Sequence, residues 1–128
     1  MSKNERSDFK TSIKALKALG DPKRLRTAAL LAHAGRELCV CELVDALEES
    51  QYNVSRYVGA LCAAGIISKK KKGRWAMYAL AERGPLTEYI IKLVRPGPCC
   101  AQIAKDLIRL KERLARREKG VCVIGCKC

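Results

Sequence analysis

Apolar residues recur at Phe9, Ile13, Leu16 and Leu19, spaced by three and four, and predict a helix over 8–19 that Gly20 closes. Asp21-Pro22 then joins an N-cap residue to a proline at the first helical position, opening a second helix through Leu25, Ala28, Ala29 and Leu31 that stops near Gly35. A third, short helix is expected over 38–47 and a fourth over 51–64, with Gly65 as terminator. Only the polar stretch Glu48-Glu49-Ser50 separates them, so the pair reads as a helix-turn-helix.

After Gly65 the period shortens. Ile66-Ile67-Ser68 leads into a basic turn over 69–73, and then Trp75, Met77 and Ala79 alternate with Arg74, Ala76 and Tyr78, the pattern of a β-hairpin or wing. A helical stretch beyond Pro85 reaches Val94 and is broken by Arg95-Pro96-Gly97-Pro98, since proline removes a backbone donor and glycine resists helix. Over 99–119, Ile103, Leu107, Leu110 and Leu114 form a narrow apolar stripe on a charged helix. A stripe of that width matches a helix–helix seam and predicts a dimer contact, packing onto its own domain being the alternative. Residues 120–128 show no periodicity and read as a flexible, cysteine-bearing tail.

Length and charge narrow the class. The 128 residues suit one domain with a modest core and exclude a large multidomain enzyme. Lys and Arg outnumber Asp and Glu 26 to 13, and the basic residues cluster at Lys69 to Lys72 with Arg74, at Arg113, Arg116 and Arg117, and at Lys23, Arg24 and Arg26. That excess suits a polyanion, nucleic acid first. The expected fold is mainly α with a small β-hairpin, a dimeric winged helix-turn-helix. Residues 1–95 form the DNA-binding domain, 96–119 a C-terminal dimerisation helix and 120–128 the tail.

The second helix of a helix-turn-helix lies in the major groove, which places Ser50, Gln51, Asn53, Ser55 and Arg56 to read DNA. Gln and Asn suit adenine and Arg suits guanine. Ser50 reads equally as an N-cap and Asn53 as an exposed polar position, while Val54, Val58 and Leu61 should face the core. Lys70, Lys71, Lys72 and Arg74, with Lys69 and Gly73, fall at the hairpin tip. Their charge can meet phosphates or the minor groove there, a solvated turn being the plainer alternative.

No apolar run approaches the roughly 20 residues that span a bilayer, and the charged start lacks the apolar core of a signal peptide. The expected location is the cytoplasm, with no membrane partner. In that reducing compartment eight cysteines point to soft-ion ligation or redox chemistry before disulfides. Cys39 and Cys41 would point about 200° apart on a regular helix, so they could share an ion only if the helix start unwound. Cys99 and Cys100 follow Pro98 at a helix start, where the dipole favours thiolates. Cys62 follows Val54 and Val58 in register and reads as a small buried hydrophobe. Cys122, Cys126 and Cys128 form either a separate three-sulfur site or an end without a role. His33, the one histidine, should cap a helix or be solvated.

ALGDPKRLRTAALL and ELCVCELVDALEESQYNVSRYVGALCAAGIISKKKKGRWAMYAL resemble the arsenic-repressor family of winged-helix metalloregulators, from about Phe9 to Leu80. The resemblance rests on three motifs in order: ELCVC before the recognition helix, SQ-x-x-V-SR within it, and G-R-W in the wing. It implies a homodimeric repressor of arsenic-resistance genes that leaves double-stranded operator DNA when As(III) or Sb(III) is bound by cysteine thiolates, with no obligatory cofactor. It also implies that Cys39 and Cys41 are inducer ligands.

Trivalent arsenic favours three sulfurs, and where the familiar pattern places a third cysteine this chain has Val44. The third ligand must come from elsewhere, or the site is built on Cys99 and Cys100. Cadmium- and lead-sensing relatives draw ligands from an N-terminal arm, yet residues 1–32 hold no Cys or His. Zinc sensors use histidines on the last helix, which this chain lacks. A thiol redox sensor remains open. A thiol-dependent arsenate reductase does not fit, for no Cys-x5-Arg or Gly-rich anion loop surrounds any cysteine.

Overall fold

A computed structural model of the chain describes residues 2–81, 85–95 and 100–118. Asp21 sets the first corner. Its carboxylate accepts from the Arg24 amide at 3.0 Å, Pro22 takes the first helical position, and α2 runs Pro22–Ala34. The helix before it, α1 (Ser2–Leu19), starts earlier than its apolar spacing predicted. The carbonyls of Lys17 and Ala18 at its end are taken by the Arg24 guanidinium. Gly35, at φ 63, closes α2 with its amide on the Leu31 carbonyl.

The next segment departs from expectation. Leu38–Cys39 is a short strand, β1, and helix α3 spans only Val40–Leu47. Strand β1 pairs antiparallel with β3 (Trp75–Leu80), setting Leu38 opposite Tyr78 and Cys39 opposite Met77. Apolar spacing alone could not separate a helical first turn from two extended residues. The sheet partner decides, because it satisfies backbone groups that a helix start leaves open. Glu48, left-handed at φ 54, ends α3, and Ser50 caps α4 (Gln51–Ala63) by accepting from the Asn53 amide at 3.1 Å.

The wing is β2 (Ile67–Lys72) against β3, giving the sheet order β1-β3-β2. Lys72 pairs with Trp75, so only Gly73 and Arg74 turn the chain, and Gly73 supplies φ 60. The lysines expected in the turn therefore lie in the strand. Simple alternation also fails in β3, where Met77 and Tyr78 are both buried. As the central strand it is covered on two sides. Ala76, Tyr78 and Leu80 pack on the main core, while Met77 and Trp75 pack with Cys39 and Cys41.

The core joins Leu30 and Leu31 of α2, Leu38, Leu43 of α3, and Val54, Val58 and Leu61 of α4, as the sequence indicated for the last three. Each such side chain contributes about 1.5–3 kcal/mol by leaving water. Two helices follow, α5 (Pro85–Leu93) and α6 (Ala101–Leu114). The apolar stripe of α6 turns inward: Ile103 and Leu110 are buried, Leu107 and Leu114 half-buried, and α6 packs on α2 and α3 of its own chain. The stripe is thus covered in part by its own chain. His33 Nε2 lies 2.6 Å from the Val94 carbonyl, tying the end of α2 to the residue after α5. Phe9 and Leu16 on α1, Tyr89 and Leu93 on α5, and Ile108 on α6 remain exposed. Among the described residues no helix is long and apolar enough to cross a membrane.

Candidate DNA interface and cysteine cluster

Helix α4 buries Val54, Val58 and Leu61 and turns the intervening residues outward. Gln51, Ser55 and Arg56 are exposed along that face. Ser50 is an N-cap. Asn53 is half-buried, and its amide donates to Glu49 at 3.2 Å. Glu49 also accepts from the Tyr57 hydroxyl and from Lys23, whose hydrogen bond holds its carboxyl below the ordinary range. Tyr52 went unnoticed in the sequence, although it stands four positions before Arg56. It is exposed, and the Arg56 guanidinium lies 5.7 Å from its ring centroid, a cation–π pair that stiffens the arginine on the outer face.

Lys69, Lys70, Lys71 and Lys72 are exposed along β2, and Arg74 lies over the Trp75 ring at 4.8 Å. A strand directs neighbouring side chains to alternate faces, so the four charges line both sides of the wing. Lys72 is paired with Glu37. That contact pulls the Glu37 carboxyl below its ordinary value. Most side chains of the other basic clusters make contacts within the chain. Lys23 binds Glu49, Arg24 caps α1, Arg26 binds Asp106 and the Leu47 carbonyl, Arg113 pairs with Asp45, and Arg117 binds Glu42. These pairings fix where the cations sit and leave the formal net charge at +13.

Cys39 and Cys41 form a buried cluster with Met77, and Trp75 packs against it. Cys39 is extended, at φ −91 and ψ 167, so the helical geometry that would have set the two cysteines apart does not apply. It is the N-cap of α3. Its side chain and Glu42 make a reciprocal capping box, in which the Cys39 amide donates to Glu42 Oε1 at 3.1 Å. Glu42 is fully buried and receives Arg117 through both carboxylate oxygens, at 2.6 Å each. Burial pushes its carboxyl up, but Arg117 and the Cys39 amide outweigh that and hold it below the ordinary range. Cys41 is disulfide-bonded.

Cys100 is elsewhere. It stands at the N-cap position of α6, half-buried against Ala29, Val94 and Ile103. Cys99, like Cys122, Cys126 and Cys128, lies outside the described residues. Cys62 is a half-buried thiol packed on the main core, its pKa pushed up by burial, which fits the small-hydrophobe reading. Among the described residues no three Cys, His, Asp or Glu side chains gather where they could hold a metal ion. Met77, Trp75, Glu42 and Arg117 were missed because their places beside the cysteines follow from strand pairing and from the packing of the C-terminal segment.

The bacterial regulatory protein family named for arsR matches residues 21–69, from the cap of α2 through α4 into β2. The arsenic resistance transcriptional regulator ArsR1 of Pseudomonas putida is 46% identical over 107 residues, 82% of this chain and 81% of its own. The arsenical resistance operon repressor of Escherichia coli is 39% identical over 119 residues, 89% of this chain and 97% of its own. Among solved structures, reduced HlyU from Vibrio cholerae superposes with a TM-score of 0.60 at 25% identity, over 70% of this chain and 95% of HlyU. Helix-turn-helix, wing and sequence agree, and the chain belongs to the arsR family of bacterial regulatory proteins, a winged-helix transcriptional regulator and not an enzyme.

Proposed function

We propose that the protein is a cytoplasmic, homodimeric repressor of arsenic-resistance genes that binds operator DNA through α4 and the wing. It releases that DNA when cysteine thiolates capture As(III) or Sb(III). The observation that carries this reading is the joint burial of Cys39 and Cys41 against Met77, with Cys39 capping the helix that precedes the recognition helix. The names of the Pseudomonas and Escherichia relatives support the arsenical inducer. Each As–S bond forms as a thiol proton leaves with an arsenic-bound hydroxide as water, with no change of oxidation state. The disulfide at Cys41 is first opened by exchange with a small cytoplasmic thiol reductant, two equivalents of which supply two electrons and two protons and leave as their own disulfide. The third sulfur comes from the C-terminal part of this chain or its partner, where Cys99, Cys100 and the three tail cysteines are the candidates.

DNA contact is assigned to Gln51, Ser55 and Arg56 on α4 and to Lys70, Lys71 and Arg74 on the wing, with Ser50 and Asn53 shaping the helix start. The exposed Phe9 and Leu16 of α1 and Tyr89 and Leu93 of α5 are offered to a second copy, since exposed large apolar residues on neighbours of one helix, α2, suit a dimer face. A redox sensor is the second reading, favoured by the disulfide at Cys41, in which two thiols give two electrons and two protons to an oxidant.

Fluorescence anisotropy of operator DNA, with arsenite, antimonite, cadmium, zinc and peroxide added separately, tests both. Release by arsenite and antimonite, lost in a Cys39→Ser/Cys41→Ser variant, is the expected result. Release only by peroxide selects the redox reading, and release by cadmium or zinc alone overturns the arsenical one. Retention of the response in that variant with loss in Cys99→Ser/Cys100→Ser moves the site to the C-terminal pair.

A further inference from the structure

Glu42 stands between the cysteine cluster and everything that could carry its signal. One side of the carboxylate takes the Cys39 amide at 3.1 Å, completing a box in which the Cys39 side chain reciprocates. Arg117, just beyond α6, grips both oxygens and extends a further hydrogen bond of 2.8 Å to the Glu37 carbonyl. The Glu37 carboxylate in turn holds Lys72 at the end of β2. One unbroken run of contacts therefore links the Cys39 cap to the wing.

A second branch runs along α3. The α6 segment grips that helix from one end to the other: Arg117 on Glu42, Arg113 on Asp45 at 2.7 Å, and Arg109 on the Ala46 carbonyl at 2.8 Å. Asp106 holds Arg26, which reaches the Leu47 carbonyl at 3.2 Å. Past Leu47 only Glu48, Glu49 and Ser50 precede the recognition helix. An eight-residue helix gripped along its length moves as a rigid body, so a shift at its N-terminus arrives at α4.

We propose that Glu42 and Arg117 are the positioning pair that converts capture of a soft ion at the Cys39 sulfur into loss of DNA affinity. This rests on the inducer reading above and adds its route. An arsenic–sulfur bond withdraws the Cys39 sulfur from the capping box, one half of the box is lost, and the buried Glu42 carboxylate changes partners. Arg117 then loosens from Glu42 and from the Glu37 carbonyl, and both the wing and α3 are released. The latch belongs to the DNA-competent state, so the ion must work against it in binding.

That thermodynamic opposition supplies a signature that a merely structural role would not produce. Full-length wild type, Arg117→Ala, Arg117→Lys and Glu42→Gln are compared for operator affinity by anisotropy, with and without arsenite. Arsenite affinity is followed by the ultraviolet absorbance of the arsenic–sulfur bonds, and melting curves establish that each variant is folded at the assay temperature. Arg117→Ala should bind arsenite about tenfold more tightly than wild type, bind operator more weakly without arsenite, and show a much smaller further drop when arsenite is added. Arg117→Lys, which keeps the charge but not the fork, should fall between, and Glu42→Gln should follow Arg117→Ala. Variants that bind arsenite no more tightly than wild type, or that release DNA as fully, overturn the relay while the inducer reading stands. Wild type that takes up no arsenite, or keeps its DNA when loaded, overturns both.

Discussion

Arg26 on α2 and Asp106 on α6 meet in a two-pronged ion pair, with Nε and Nη2 each 2.8 Å from a carboxylate oxygen that water does not reach. Gln102 and Arg109 complete the carboxylate's hydrogen bonding, at 2.9 and 2.7 Å. A buried charge so fully partnered fixes the angle at which α6 crosses the helix-turn-helix, because no rotated arrangement satisfies the same four donors. It also explains why the C-terminal helix packs inward although its apolar stripe is narrow.

Removing that carboxylate leaves Arg26 and Arg109 partly buried without their anion. Asp106→Ala should lower unfolding free energy by about 3–5 kcal/mol, read from urea titrations, with loss of the melting cooperativity shared by α6 and the rest of the domain.

Acid should weaken the Glu42 latch. The folded carboxyl titrates below its ordinary range, so the unfolded chain takes up the proton first as pH falls. The latch's contribution is complete above the ordinary carboxylate range and disappears as pH drops through the depressed folded value. Wild-type melting temperature should fall below about pH 5, and Glu42→Gln should show a flatter dependence there.

Operator binding should divide between helix and wing. Arg56→Ala is expected to cost about 1–3 kcal/mol and to relax preference at one base position. Lys70→Ala with Lys71→Ala should weaken all sequences alike and reduce the slope of log affinity against log salt by about 2. A salt slope unchanged by the double lysine variant would remove the wing from the interface.

Cys39→Ser should keep operator affinity close to wild type, because a serine hydroxyl can take the sulfur's place in the capping box, while arsenite no longer releases DNA. Cys62→Ser, at a residue that packs on the main core and not in the Cys39–Cys41 cluster, should alter neither. Loss of operator affinity in Cys39→Ser without any ligand would separate cap geometry from inducer chemistry and count against the assignment.

Leu16 is 66% exposed on α1, so a charge there should leave the single chain folded. Leu16→Glu is expected to shift sedimentation from dimer to monomer and to weaken operator binding, since half-sites are then met one at a time. A dimer that survives this change would place the seam elsewhere.

The sequence by itself determined the helices that carry strong local signals. Asp21-Pro22, Gly35, Ser50 and Gly65 punctuate the chain through backbone geometry that needs no tertiary partner, and the change of period after Gly65 announced the wing. Exposure of Gln51, Ser55 and Arg56 followed from the burial of Val54, Val58 and Leu61 on one helix, and the motifs named the family. What only the tertiary structure decided are the places where distant segments compete for the same backbone or charge. β3 drew Leu38–Cys39 out of the expected helix, a two-residue turn made the lysine run a strand, and buried carboxylates at 42 and 106 recruited arginines that composition had assigned to DNA. Local propensity acts over a few residues, whereas strand pairing and the desolvation of charge are settled by partners 38 to 80 positions away, such as Met77 for Cys39, Arg117 for Glu42 and Asp106 for Arg26.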